Sequence, residues 1–320
     1  MLTTSLLSRG QDMQFTQFNA ASLYLNPGFT GSTIEHRFAS NYRNQWVAIP
    51  GHFVNYTFAY DYNAAELNSG IGLLFAREQA GTANLHNTEI GLLYSYHLKI
   101  NHKIFIQPGL KINYISRGID FQKLVFNSQL SSGSNNSPSN IEVNNINIID
   151  INSGIVLYSS KFWAGLSFNH LNRPNQSFIN NESPLFMKLS VHGGYKFEIA
   201  STVRQVKNFN IIFQYKSQQK FDQLDLGAYY TQNTYVLGLW YRGIPILKSQ
   251  NGILNNDAIA FIAGYVFTEY NLSIGYSYDV TISKLGVNSA GSQEITLIYE
   301  VASKKAKRKR RKDFVPCAKF

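Results

Sequence analysis

The feature that most constrains this chain is an alternation of side chains with a period of two, repeated over segments of about ten residues. From Tyr270 to Asp279, Tyr270, Leu272, Ile274, Tyr276 and Tyr278 face one way, and Asn271, Ser273, Gly275, Ser277 and Asp279 face the other. Ile104, Ile106, Leu110, Ile112 and Tyr114 oppose Gln107, Gly109, Lys111 and Asn113 in the same manner. Ile90, Leu92, Tyr94, Tyr96 and Leu98 oppose Glu89, Gly91, Ser95 and His97. Successive side chains of a strand point to opposite faces. Each segment therefore carries one apolar face and one small or polar face. With lipid on the first and a lumen on the second, this is the pattern of a transmembrane barrel strand.

Composition narrows the choice. Charged residues make up 15% of the 320, against about 25% in an average soluble domain. The apolar content leans on aromatics, with 22 Phe and 20 Tyr against three Met and three Trp. The longest apolar run, Ala258 to Phe267, is ten residues, about half of what a membrane-spanning helix needs. A helical membrane protein is excluded.

Gly, Asn, Pro and Ser clusters divide the chain into fourteen expected strands. They lie near 33–43, 52–61, 70–79, 87–99, 103–117, 146–159, 161–171, 185–199, 208–216, 222–231, 234–242, 257–267, 269–279 and 292–302. The connections between them alternate in length. If residue 33 starts in the periplasm, the extracellular connections include 118–145, 172–184, 243–256 and 280–291, all long. The periplasmic ones include 100–102, Ser160, 232–233 and Thr268, all tight. The medium connections 62–69 and 200–207 and the short 217–221 break the rhythm. Outer-membrane barrels have this asymmetry, and a soluble barrel has no reason for it. The expected fold is all-β: a transmembrane antiparallel up-and-down barrel of about fourteen strands with long extracellular loops, short periplasmic turns and both termini in the periplasm. It would sit in a bacterial outer membrane.

Four regions follow. Residues 1–10 lack a charged start and an apolar core of 7–15 residues, and read as the remnant of a signal segment. Residues 11–32 form an N-terminal periplasmic segment, lying on the periplasmic face or plugging the lumen. Residues 33–303 form the barrel, and 304–320 a basic periplasmic tail. That tail holds nine Lys/Arg against one Asp, which is +8 of the formal net charge of +10 and leaves the body near neutral.

No catalytic constellation is present. The seven histidines, at 36, 52, 86, 97, 102, 170 and 192, have no metal-ligand spacing, and there is no HExxH, P-loop or GxSxG. The lone cysteine, Cys317, allows no internal disulfide. The pair Asp222/Asp225 and Glu198 read as lumen-facing polar residues. No enzyme activity, cofactor or metal is expected.

Two partner-binding candidates remain. The run Lys304, Lys305, Lys307, Arg308, Lys309, Arg310, Arg311 and Lys312 suits an acidic periplasmic partner or lipid phosphates of the inner leaflet. Equally, it suits a solvated tail that keeps the last strand from slipping into the membrane. Nucleic acid is disfavoured, since no base-stacking aromatics or folded reader accompany the charge. Apolar residues follow in "DFVPCAKF", ending at Cys317 and Phe320, which suggests a short docking peptide. The second candidate is Tyr42, Arg43 and Trp46, either a cation–π surface or, for the aromatics, interfacial girdle residues.

These segments together resemble the PorP/SprF family of outer-membrane proteins, associated with type IX secretion and gliding motility in Bacteroidota. The resemblance rests on "QFTQFNAASLYLNPGFTG" (14–31), "YRNQW" (42–46), "GLKINYISRGIDFQKLVF" (109–126) and "GLSFNHLNRPNQSF" (165–178). It continues through "QLDLGAYY" (223–230), "LGLWYRG" (237–243), "GYSYDVTISKL" (275–285) and "GSQEITLIYE" (291–300). The closing "CAKF" (317–320) resembles the family's Cys-Pro-Arg-Phe-like end but departs from it at Ala318 and Lys319. The resemblance implies a non-enzymatic barrel that helps export or surface-anchor a large secreted adhesin-like cargo, or that joins periplasmic ring and peptidoglycan-binding components. A channel for small solutes is the alternative.

Overall fold

A sheet of alternating strands has two unpaired edges, and in lipid their backbone groups would find no partner. This chain removes the edges by closing on itself. The computed structural model describes residues 12–120, 145–178, 182–202, 206–219, 221–248, 254–283, 286, 289–301, 315 and 320. Its strands are β1 (His36–Gln45), β2 (Phe53–Ala64), β3 (Ser69–Ala80), β4 (Leu85–Tyr96), β5 (Leu98–Lys99), β6 (Phe105–Gly118), β7 (Ile146–Tyr158) and β8 (Phe162–Asn169). They continue as β9 (Lys188–Ser201), β10 (Val206–Gln218), β11 (Phe221–Gln232), β12 (Tyr235–Lys248), β13 (Leu254–Phe267), β14 (Leu272–Thr281) and β15 (Ser292–Val301). Apart from β4 and β5, which both pair with β6, sequence neighbours pair antiparallel, and β1 closes the ring against β15 from His36↔Val301 to Gln45↔Ser292. Since β5 is a two-residue continuation of β4 along β6, fourteen staves form the wall. No helix among the described residues is long and apolar enough to cross a membrane.

All fourteen expected strands are present, and the alternation is an inside–outside code. Along β4, Ile90, Leu92 and Tyr94 face out while Glu89, Gly91 and Ser95 are buried. Along β14, Ile274, Tyr276 and Tyr278 face out and Ser273, Ser277 and Asp279 are buried. This is a soluble protein turned inside out: apolar residues on the surface, carboxylates and amides within.

One loop boundary differs from expectation. Residues 243–256 read as a long connection, but β12 runs on to Lys248 and β13 starts at Leu254. The two strands keep pairing beyond Arg242 by shifting register twice, after Arg242 and again between Ile244 and Lys248. Pro245, which has no N–H to donate, falls in the second shift. The low-complexity stretch 131–140 lies outside the described residues.

The lipid face carries a testable cost. Leu92→Arg, at an outward position in the body of β4, should lower barrel stability in lipid vesicles by about 2–4 kcal/mol. Tyr235→Arg, at the rim where β12 begins, should cost no more than about 1 kcal/mol. Denaturant unfolding in vesicles reads both.

Candidate functional site: a lumen filled by its own chain

The segment ahead of β1 has no strand period, and its apolar residues cannot lie in the wall. Met13, Phe15, Phe18, Leu23, Leu25 and Phe29 are all buried. They sit inside the barrel. A short helix α1 (Ser22–Leu25) and a 3-10 turn, Pro27–Phe29, pack against inward residues such as Leu74, Val156, Trp163, Ile212, Trp240 and Ile262. Of the two placements the sequence left open, the periplasmic face and the lumen, this segment takes the second, for a simple reason. Its large side chains, each worth about 1.5–3 kcal/mol when buried, find apolar cover only in the lumen.

Hydrogen bonds fix the plug along its length. The Asn26 side chain donates to the carbonyls of Ile155 (3.2 Å) and Leu166 (3.1 Å) and accepts from the Gly28 N–H (2.8 Å). The wall makes room for this turn with Gly109 and Gly154, which face each other across β6 and β7. A Cβ on either would collide with Pro27 or Asn26. Further on, the Thr30 carbonyl accepts from Ser95 Oγ and Gln107 Nε2, both at 2.6 Å, and the Gly31 N–H donates to Asp61 at 2.8 Å.

The early plug is held by charge. Arg43, with no exposed surface, lies between Asp279 (2.7 Å) and Glu294 (3.3 Å). Arg242 meets the same Asp279 at 3.1 Å and approaches Asp225 at 3.6 Å, and Asp225 pairs with Lys216 at 3.3 Å. Asp257 also lies 3.8 Å from Arg242, so three cations and four carboxylates from seven neighbouring strands form one arc of the wall. Thr16 is docked at its centre. Its N–H donates to Glu294 (2.7 Å), its hydroxyl to Asp279 (2.7 Å), and both arginines donate to that hydroxyl oxygen. On the facing wall Asp12 pairs with Lys188 and with His170 Nε2 (3.0 Å), whose Nδ1 meets Asp150 at 2.9 Å. Lys111 and Lys188 lie over the Tyr24 ring at 5.2 and 5.7 Å, in cation–π range. Burial disfavours a charge on either partner of the Asp12–His170 pair. Lys188 and His170 outweigh it for Asp12, whose carboxyl is held well below its usual range. Asp12 and Asp150 outweigh it for His170, which is raised to about 9.

Above the plug, at the end bearing the connections 119–145, 170–187 and 282–291, a cavity of about 730 Å³ opens. Asp12, Met13 and Tyr24 of the plug form its floor, with Trp46, Glu78, Arg117 and Phe221 among the wall residues. Among the described residues no group of three or more His, Cys, Asp or Glu side chains is disposed to hold a metal ion.

The structure separates the residues that the sequence grouped. Tyr42 faces outward and packs on Tyr56 (5.2 Å), Arg43 points into the lumen, and Trp46 meets Phe53 at the cavity (5.5 Å). The expected Tyr–Arg–Trp surface does not form: the pleat turns Arg43 away from Tyr42, and Trp46 lies past the end of β1 with a φ of 60°, turned to the cavity. Phe320 is buried inside the barrel. Lys304, Lys305, Lys307, Arg308, Lys309, Arg310, Arg311, Lys312 and Cys317 lie outside the described residues. Sequence reasoning passed over Thr16, Asn26, His170, Arg242, Asp279 and Glu294. A signal existed for the charged ones, since ionisable residues of both signs occupy the inward phase of several strands.

Arg43→Ala removes the cation between two buried carboxylates, and should cost about 3–5 kcal/mol, read as a lowered unfolding midpoint and protease cleavage within 12–33. Raised pH should loosen the plug at its Asp12 end. The folded value of His170 lies above the ordinary 6.5, so its contribution is complete below pH 6.5 and is lost as pH rises through about 9. Hydrogen exchange at Asp12 to Phe15, corrected for the intrinsic pH dependence of exchange, should accelerate over that interval, and His170→Gln should abolish the excess.

The barrel is similar to several solved outer-membrane structures at low identity. The Pseudomonas putida toluene transporter TodX aligns over 89% of this chain and 94% of its own, with 10% identity and a TM-score of 0.49. The CymD monoaromatic hydrocarbon channel aligns over 89% and 93%, with 12% identity and a TM-score of 0.45. The Acinetobacter baumannii outer membrane protein Omp33 aligns over 85% and 100%, with 9% identity and a TM-score of 0.43. At this distance the likeness assigns no substrate. No curated protein matches the sequence. The family of type IX secretion system membrane proteins PorP/SprF matches residues 7–299. That match spans the plug and nearly the whole wall, and the chain belongs to the PorP/SprF family.

Proposed function

We propose that this chain is a plugged outer-membrane scaffold of the type IX secretion apparatus, which binds a large secreted adhesin-like cargo and helps export it or hold it at the surface. The observation that carries this reading is the filled lumen. Residues 12–33 occupy it, pinned by the Arg43–Asp279–Glu294 and Asp12–His170–Lys188 groups. A segment held by paired buried charges belongs to the resting architecture. Withdrawing it would break the Thr16 hydrogen bonds to Asp279 and Glu294 and both ion pairs of Asp12.

In this reading the long-loop end faces the outside, following the loop asymmetry of outer-membrane barrels. The cavity floored by Asp12, Met13 and Tyr24 and the loops around it then meet the cargo. The basic run 304–312 lies in the periplasm, where it meets ring or peptidoglycan-binding components through their acidic surfaces.

The runner-up, a channel for small solutes, draws on the cavity, but that cavity ends on the plug. Two measurements separate them. Mild crosslinking of the native protein, followed by detergent purification and mass spectrometry, should recover a large type IX cargo or machine components. Planar-bilayer recordings of the intact protein should be silent. A barrel recovered alone, with steady conductance and solute selectivity, would establish the channel instead. Deleting 304–320 should leave a folded barrel and weaken recovery of periplasmic partners, and unchanged recovery would remove the tail from the mechanism.

A further inference from the structure

Phe320 lies in the lumen with no exposed surface, three residues inside the rim at which β13 ends and β14 begins. The wall has a vacancy made for it. Gly264 of β13 and Gly275 of β14 stand directly opposite each other in register, and two adjacent residues without side chains leave a depression as broad as a ring. The Phe320 ring fills it. A Cβ added at Gly264 would collide with the ring, and one at Gly275 would collide with both the ring and the Gln17 side chain of the plug. The backbone carbonyl of Phe320 accepts a hydrogen bond from Asn19 Nδ2 at 3.1 Å. The same ring belongs to the apolar cluster that includes Phe18, Ala20 and Leu23 of the plug, and Val315 packs against that cluster.

We propose that the paired glycines are a built docking site for a phenylalanine side chain, that its occupant is Phe320, and that this engagement locks the N-terminal plug in place. The lumen is then filled by two pieces of chain arriving from opposite ends of the sequence, each resting on the other. A wall residue with any side chain would have served β13 and β14 as well, since both strands pair along their length without it. The vacancy has a use only if something fills it. The occupant bridges to the plug through Asn19 and Phe18, so its loss withdraws cover from the middle of the plug while leaving the charged anchor at Thr16 intact. The inference stands on this geometry and does not depend on the secretion role.

Three variants of the full-length protein test it by hydrogen exchange at residues 17–25, with circular dichroism and heat-modifiable gel mobility reporting the barrel. Phe320→Ala empties the site. Gly264→Ala blocks it from the wall, where the nearest atoms to the added methyl are those of the Phe320 ring. Each should raise exchange at 17–25 by tenfold or more with the barrel intact, and the double variant should do no more than either one, because both remove the same contact. Phe320→Leu, which keeps an apolar side chain, should restore part of the protection and covers the case in which Gly264→Ala disturbs β13 itself. Unchanged exchange in Phe320→Ala, or additive effects in the double variant, would overturn the proposal.

Discussion

A barrel in lipid has to spend its apolar residues on the outside, and everything else in the architecture follows from what that leaves within. Arg43, Arg242, Asp225, Asp279 and Glu294, with the half-buried Lys216, line one arc of the lumen, the first five with almost no water-exposed surface. Unpaired, any one of them would be ruinous in a dry interior. Paired with one another, and with Asp257 also 3.8 Å from Arg242, they hold the wall together from strand to strand. The one hydroxyl that two arginines and Asp279 share belongs to Thr16, a residue of the plug and not of the wall. The charge network and the plug are therefore one structure.

The plug solves a second problem. Fourteen strands enclose more space than inward side chains can fill. The remaining volume could hold water, as in a channel, but here it holds chain. Apolar inward residues such as Leu74, Ile212 and Ile262 break the polar lining at the level where Phe18, Leu23 and Phe320 need cover. Glycines, placed in cross-strand pairs at Gly109/Gly154 and Gly264/Gly275, open the wall where the plug comes closest. Lumen polarity, apolar patches and glycine vacancies thus each match a particular piece of the occupant. This matching, more than the barrel itself, decides what occupies the lumen.

Much of the fold was legible in residue order. In β14, Ile274, Tyr276 and Tyr278 alternate with Gly275, Ser277 and Asp279, and that local pattern states both the strand and its outward face. Strand ends were less legible where a strand continues through irregular pairing, as β12 does past Arg242, because pairing partners and not propensity hold it there. The site was largely illegible. Adjacency in sequence suggested that Tyr42, Arg43 and Trp46 act together, whereas the pleat sends Tyr42 outward and Arg43 inward.

The sequence by itself determined the strand count, the closed sheet, the lipid-facing surface and the family, because each is written locally, in a period of two or in short contiguous motifs. Only the tertiary structure decided what fills the lumen. Residues 12–33 carry no period that names a partner, and their contacts lie far along the chain: Asn26 reaches Leu166, Thr16 reaches Glu294, and Asn19 reaches Phe320. Such pairings exist only once the barrel has closed and brought its inward residues around a single space.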